Sequence, residues 1–136
     1  MKDFHPKQIV YVSLISWIFL FIFSCKKEAG YGGDASIQGS VKIYAVNGLF
    51  TDTIAEYPGR DVYVYIRYGD HAGYDKRIKT DYEGNFLFDH LYTGDYQVYT
   101  YSADPLTPDG IKAVIKNITI NNRKERVLLD TLNILQ

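Results

Sequence analysis

Residues 79–98 read KTDYEGNFLFDHLYTGDYQV, and this stretch decides the fold. Thr80-Asp81-Tyr82-Glu83-Gly84 has the chemistry of a hairpin turn. Asp hydrogen-bonds the backbone two residues on, and Gly takes a positive φ at little cost. Beyond the turn, Phe86, Phe88 and Leu91 are expected to point inward. Burying each is worth about 1.5–3 kcal/mol. Gly94 turns the chain over a sheet end, and Tyr96 follows where its ring joins a core while its hydroxyl reaches a backbone group. Every residue type in this stretch has a structural use, so none of it calls for catalysis.

Period-two patterning continues on both sides of the stretch, and no helical period persists after Ser36. SIQGSVKIYAV alternates through Ile37, Val41, Ile43 and Ala45, with Gly39 marking a bulge or a close backbone approach. RDVYVYIRY sets Val62, Val64 and Ile66 against Tyr63, Tyr65 and Arg67. YDKRIKT is a polar strand around Ile78, and NFLFDHL puts Phe86 and Phe88 on one face. DYQVYTYS places Tyr96, Val98 and Thr100 on one face with Gln97, Tyr99 and Tyr101 on the other, and IKAVIKNITI and ERVLLDTLNIL complete seven strands. Turn signals at Pro58-Gly59, Glu83-Gly84-Asn85, Thr93-Gly94 and Asn121-Asn122 separate them. Short strands at regular spacing without crossover helices predict an all-β, seven-stranded antiparallel β-sandwich.

The joint spacing Pro58-Gly59, Val62-x-Val64, then Thr80-Asp81-x-x-Gly84-x-Phe86-x-Phe88-x-x-Leu91-x-x-Gly94-x-Tyr96-x-Val98 resembles the carboxypeptidase regulatory-like domains. Those are prealbumin-like (Ig-like) modules related to transthyretin-like and Cna B-type domains. The resemblance covers the middle forty residues, from 58 to 98, and the flanking strands fit by count. It implies a fold and no particular activity. In transthyretin-like topology the strands carrying Tyr63 and Tyr65 and those carrying Tyr99 and Tyr101 are neighbours. If Val64, Ile66, Tyr96 and Val98 face the core, these four tyrosines share an outer face with Arg67 and Gln97 nearby. Such a face is either ordinary strand chemistry, since tyrosine favours strands and cross-strand aromatic pairs, or a platform for a glycan or protein partner. Some Cna B-type modules carry an internal Lys–Asn bond. Lys42 and Asn117 have the right types for it, but the assisting acid expected after the tyrosine strand is missing from YTYSADP.

The first residues are a different material. Lys2 and Lys7 make a positive start, and IVYVSLISWIFLFIF (9–23) is uncharged for a length suited to a secretory signal rather than a spanning helix. IFSC (22–25) resembles a bacterial lipobox of the Bacteroidetes type, with Phe23 where a small residue is usual. The resemblance implies cleavage before Cys25 and lipidation of its thiol. The alternatives are a plain signal peptide or signal anchor with Cys25 a bystander. Cys25 is the only cysteine, so neither a disulfide nor a multi-ligand metal site can use it within one chain. The glycine-rich, polar KKEAGYGGDAS (26–36) reads as a flexible tether. The expected organisation is a signal helix over 1–24, lipidated Cys25 with a tether over 25–35, and the sandwich over 36–136. The membrane is then a partner through the lipid anchor, and the site is the cell envelope, as an outer-membrane lipoprotein facing the periplasm or the cell surface.

A net charge of -1 across 136 residues gives no footprint for nucleic acid. No nucleophile elbow and no phosphate loop are present, and no cofactor or metal is called for. Asp81 and Glu83 in DYEG lack the further oxygens of an EF-hand-type calcium loop. Asp70, His71 and Asp75, in a loop between strands, are the remote candidate for a metal or hydrolase site. Asp-Thr-Ile at 52–54 and Asp-Thr-Leu at 130–132 resemble the O-glycosylation motif of Bacteroidetes secreted proteins, which implies glycan on Thr53 or Thr131. The reading that results is a non-enzymatic envelope module with Tyr63, Tyr65, Tyr99, Tyr101 and Arg67 as its binding residues. A structural spacer assembling by edge-strand pairing is the alternative.

Overall fold

Nine strands make up the computed structural model, which describes residues 28–136. The expected signal helix over 1–24 and Cys25 lie outside the described residues. The strands are β1 (Tyr31–Val46), β2 (Thr53–Pro58), β3 (Tyr63–Tyr68), β4 (Lys76–Lys79), β5 (Asn85–Leu91), β6 (Gly94–Ala103), β7 (Ile111–Ile120), β8 (Arg126–Leu128) and β9 (Leu132–Leu135). They form two sheets, one of β2, β1, β5, β8 and β9 and the other in the order β4-β3-β6-β7. The molecule is an all-β sandwich with no helix among the described residues.

β1 is the spine of the first sheet. It runs antiparallel to β5 along its first part and to β2 along its last, and β8 and β9 join it in parallel. The Val41 amide and carbonyl tie the two antiparallel partners together. The amide donates to Gly84 O at 2.8 Å, and the carbonyl accepts from Gly59 N at 2.8 Å. Gly39 sits where β1 meets an aromatic ring, since a Cβ there would come within 2.5 Å of Phe86. The sequence called for a bulge or a close backbone approach at this glycine; the structure has neither, and it is the Phe86 ring that fills the space of a side chain.

Alternation fixes the core. Ala35, Ile37, Val41 and Ile43 of β1, Phe86, Phe88 and Leu91 of β5, and Leu132 and Ile134 of β9 meet Val64 and Ile66 of β3, Tyr96 and Val98 of β6, and Ile118 and Ile120 of β7. Ile37 pairs with Phe88 and Ala35 with Leu91, so three steps on β5 oppose two on β1. That one-residue bulge has His90 at φ 57°, and it turns Leu91 inward where strict alternation would send it out.

The turn and corner chemistry is in place. Asp81 Oδ1 accepts from Glu83 N at 2.9 Å and Asn85 N at 2.8 Å. Gly84 has φ 80°, and a Cβ there would lie 2.5 Å from Val41 O. The buried Thr80 hydroxyl donates to Gly59 O and accepts from Val62 N at 2.9 Å, pinning the start of β3 to the turn. Tyr96 is 1% exposed. Its hydroxyl donates to Tyr92 O at 2.7 Å and accepts from Gly30 N at 3.0 Å.

The architecture departs from the sequence reading at three places. β2 was not among the seven expected strands, because all its residues are exposed and it carries no buried face to impose a period. The final expected strand is two, because residues 129–131 interrupt it and the inward phase changes from Val127 and Leu129 to Leu132 and Ile134. Both pieces run parallel to β1, so the sandwich is not purely antiparallel. Lastly, β1 starts at Tyr31 and not at Ser36. Ala35 is 1% exposed and Ala29 packs against the core, so residues 31–35, expected as tether, belong to the sheet.

Candidate functional site

The outer face of the β4-β3-β6-β7 sheet carries the candidate site, and its composition follows from register. Val64 and Ile66 are fully buried, so Tyr63, Tyr65 and Arg67 point away from the core. Tyr96 and Val98 are equally buried, which sends Gln97, Tyr99 and Tyr101 the same way. Tyr65 pairs with Tyr99 across the strands, and Arg67 with Gln97. The five residues singled out from the sequence therefore share one face.

The rings form a single cluster. Tyr65 and Tyr99 stack with centroids 5.2 Å apart and planes at 14°. Tyr101 packs edge-on against both, at 5.6 Å from Tyr65 and 5.9 Å from Tyr99. Tyr63 lies 6.4 Å from Tyr65. Each such contact is worth about 0.5–1.5 kcal/mol beyond area burial, so the rings hold one another in place before any ligand arrives. Burial raises the Tyr99 phenol above its ordinary pKa, with Tyr101 adding to the effect and Arg67 opposing it. The hydroxyl is thus a neutral donor and acceptor at physiological pH.

Sequence reasoning missed several members of this face. Tyr74, from the β3–β4 loop, packs edge-on to Tyr65 at 5.2 Å; its loop has no period to reveal it. Ile115 and Ala113 of β7 stand opposite Tyr99 and Tyr101, and Ile115 is 51% exposed. IKAVIKNITI has apolar residues in both phases, and only the burial of Ile118 and Ile120 assigns Ile111, Ala113 and Ile115 outward. On the other flank Arg77 stands opposite Tyr65 and Lys79 opposite Tyr63. The Arg77 guanidinium carbon lies 4.7 Å from the Tyr63 ring centroid and the Lys79 ammonium 5.1 Å, both within cation–π range. Arg67 donates from its Nη2 to Gln97 Oε1, while its Nε is buried without a partner among the described residues.

The other candidates are placed as follows. His71 Nδ1 and Asp75 Oδ1 are 2.6 Å apart, and the other Asp75 oxygen accepts from Tyr68 N at 2.7 Å. The hydrogen bond to Asp75, reinforced by its charge, raises the His71 pKa. Asp75 thus staples the β3–β4 loop, and no cluster of three metal-ligating side chains occurs among the described residues. Both backbone contacts of Asp81 serve the turn rather than a cation. Lys42 pairs with Glu56 at 2.6 Å on the first sheet, whereas Asn117 is opposite Gln97 on the outer face of the second, so the two are not brought together for a crosslink. Thr53 and Thr131 are both exposed, and the Thr131 hydroxyl lies 2.9 Å from that of Ser40.

No protein-family model matches the chain, and no curated protein matches it. Among solved structures it is similar to a Pseudomonas aeruginosa protein proposed to bind carbohydrate, at 20% identity and TM-score 0.47, with 75% of this chain and 91% of that one covered. It is similar to (S)-allantoin synthase at 13% identity and TM-score 0.45, with 96% of this chain and 52% of that one covered. It is also similar to the minor pilin of Streptococcus agalactiae, at 14% identity and TM-score 0.41, with 80% and 45% covered. The chain spans about half the length of the latter two proteins.

Proposed function

We propose that the protein is a non-enzymatic binding module of the cell envelope, a carboxypeptidase regulatory-like sandwich held to the outer membrane by a lipid on Cys25. Its outer tyrosine face takes a glycan or a protein partner, either in the periplasm or at the cell surface. The observation that carries the binding role is the single packed cluster of Tyr63, Tyr65, Tyr99 and Tyr101 on one exposed face, extended by Tyr74 and Ile115. An aromatic surface held open to solvent in this way marks interaction sites. The test replaces the four tyrosines together with Thr, which keeps strand propensity, and measures partner capture by the full chain. Capture falling to background while the fold is retained supports the reading, and unchanged capture removes it. Lipidation of Cys25 is tested separately, by mass spectrometry of the amino terminus and by Cys25→Ser, which is expected to release the protein from membranes.

The alternative reading, assembly through a sheet edge, draws on β7. Its ten residues pair with β6 on one side only among the described residues, which suits strand addition. Lys112 and Lys116, however, lie opposite the buried Ser102 and Val98, so they point toward the inner face of this edge. Inward charge on an edge strand discourages pairing, which favours the face over the edge.

A further inference from the structure

The tyrosine face also carries two arginines that have no carboxylate partner among the described residues. Three cross-strand rows cross it. Lys79 stands beside Tyr63; Arg77 leads into Tyr65, Tyr99 and Ile115; Arg67 leads into Gln97 and Asn117. Each row brings a cation from β4 or β3 against a phenol or an amide. Carboxylates lie nearby, each with partners of its own. Asp75 holds His71 and the Tyr68 amide, and Asp95 accepts from the Thr119 hydroxyl at 2.6 Å. Lys79 lies 3.8 Å from Asp61, which is also paired with Arg60 at 3.3 Å. Among the described residues neither Arg67 nor Arg77 has a carboxylate partner. Arg67 is half-buried and bonded only to a neutral amide, with its Nε unpartnered. Asp95 keeps its charge while accepting from a neutral hydroxyl, so what marks the face is two guanidiniums without a carboxylate partner beside the rings, not a net excess of charge.

We infer that the occupant of the face is an acidic polysaccharide, its carboxylate or sulfate groups against Arg67, Arg77 and Lys79 and its sugar rings over the tyrosine cluster. The inference rests on the binding-face reading above and specifies its ligand. Guanidinium groups pair two-pronged with carboxylate and sulfate-like oxygens. Phenols and the Gln97 and Asn117 amides supply the mixed donors and acceptors that ring hydroxyls need. An acidic peptide fits less well. Peptides engage sheets by adding to an edge through backbone hydrogen bonds, and here the backbone groups of β3 and β6 are already spent on one another and on their outer neighbours.

The experiment measures binding of the full-length protein in detergent to polygalacturonate, to its carboxyl-reduced neutral form, to chondroitin sulfate and to poly-glutamate, at low and high salt. Retention of polygalacturonate or chondroitin sulfate is expected: polygalacturonate presents carboxylates alone, and chondroitin sulfate presents carboxylates with sulfates, so tighter retention of the latter reports a sulfate contribution. It should weaken about tenfold in an Arg77→Gln, Lys79→Gln double variant and at high salt, because rim charge pairs are individually modest and screened. Arg67→Gln should weaken it further. Since Arg77 and Lys79 are exposed, the double variant keeps the test meaningful if Arg67→Gln fails to fold. Equal binding of the carboxyl-reduced polymer, with no effect of the arginine and lysine changes, overturns the acidic-ligand inference and leaves the binding face standing. Poly-glutamate binding as tightly as either polysaccharide overturns the saccharide assignment. No binding of any polymer, together with protein-partner capture that the four-tyrosine variant abolishes, overturns this inference alone; loss of the tyrosine effect as well overturns both.

Discussion

Removing one oxygen from Tyr96 should measurably loosen the sandwich at the end where the chain enters it. Tyr96→Phe keeps the buried ring, 1% exposed, and deletes the hydroxyl that donates to Tyr92 O at 2.7 Å and accepts from Gly30 N at 3.0 Å. Gly30 O, at 3.2 Å, competes for the same proton and adds no independent bond. Two hydrogen bonds at about 1 kcal/mol each, plus the cost of leaving the Gly30 amide partly unpaired, come to about 2–3 kcal/mol. For a domain near 100 residues that is a fall in Tm of roughly 10 °C. Urea unfolding followed by tryptophan-independent far-UV signal gives the midpoint and slope. The expected result is a lower midpoint with the slope unchanged, since the surface exposed on unfolding is the same. Because the hydroxyl anchors Gly30, hydrogen exchange should also accelerate at Gly30 and Tyr92 ahead of the β3–β6 ladder. A loss under about 0.5 kcal/mol would refute the reasoning, since the corner would then be holding nothing that water does not replace.

Three further outcomes follow from particular contacts. Gly84→Ala forces a side chain onto φ 80° and within 2.5 Å of Val41 O; it should destabilise by about 1–3 kcal/mol from backbone strain alone, and a urea midpoint equal to that of the parent protein would show that the turn gives way freely. His71, whose folded pKa is raised by its hydrogen bond to Asp75, should hold the β3–β4 loop most firmly below its unfolded pKa and release that contribution as pH rises through the raised folded value; an NMR titration in which Asp75→Asn fails to lower the His71 pKa contradicts this. Substituting Lys112 and Lys116 with Val removes inward charge from the β7 edge and should promote self-association, read by analytical ultracentrifugation; a double variant that sediments like the parent denies the lysines that guarding role.

Much of the sandwich was legible because its inner faces keep strict alternation. Phe86, Phe88, Val64, Ile66, Tyr96 and Val98 sit where period two puts them, whereas the inward Leu91 breaks that period and its physical reason, the bulge at His90, is visible only in three dimensions. What escaped the sequence lacked a buried face or had apolar residues in both phases. β2 pairs through its backbone and the exposed Lys42–Glu56 ion pair and buries none of its side chains. VLLDTLNIL offers an apolar residue to either face, so only the packed core decides where the phase changes. The candidate site divides in the same way. Its four tyrosines and Arg67 follow from their buried neighbours, whereas Tyr74 comes from an aperiodic loop and the Arg77, Lys79 and Ile115 flanks depend on which strands lie side by side.

The first sheet supplies an internal control for the meaning of the second. Both sheets face the same problem, a pleated outer surface that must be satisfied in water, and β1 meets it largely with polar side chains. It turns Gln38, Ser40 and Lys42 outward, with Lys42 paired to Glu56 at 2.6 Å and Ser40 beside Thr131 at 2.9 Å. Tyr44 is the aromatic member of that row and is covered by the Lys42 ammonium, 5.4 Å from its ring. The exposed aliphatic side chains of this sheet are Leu87 and Leu128 on either side of Gln38, Leu135 opposite Tyr44, and Ile54 on β2. Strand propensity accounts for tyrosine on a sheet in general, but it acts equally on both faces and cannot explain why aromatic rings gather in contact on only one. Cross-strand ring contacts stabilise the sheet in their own right, and the binding role proposed above adds a reason for keeping such a cluster exposed beside Arg67 and Arg77, which have no carboxylate partner among the described residues.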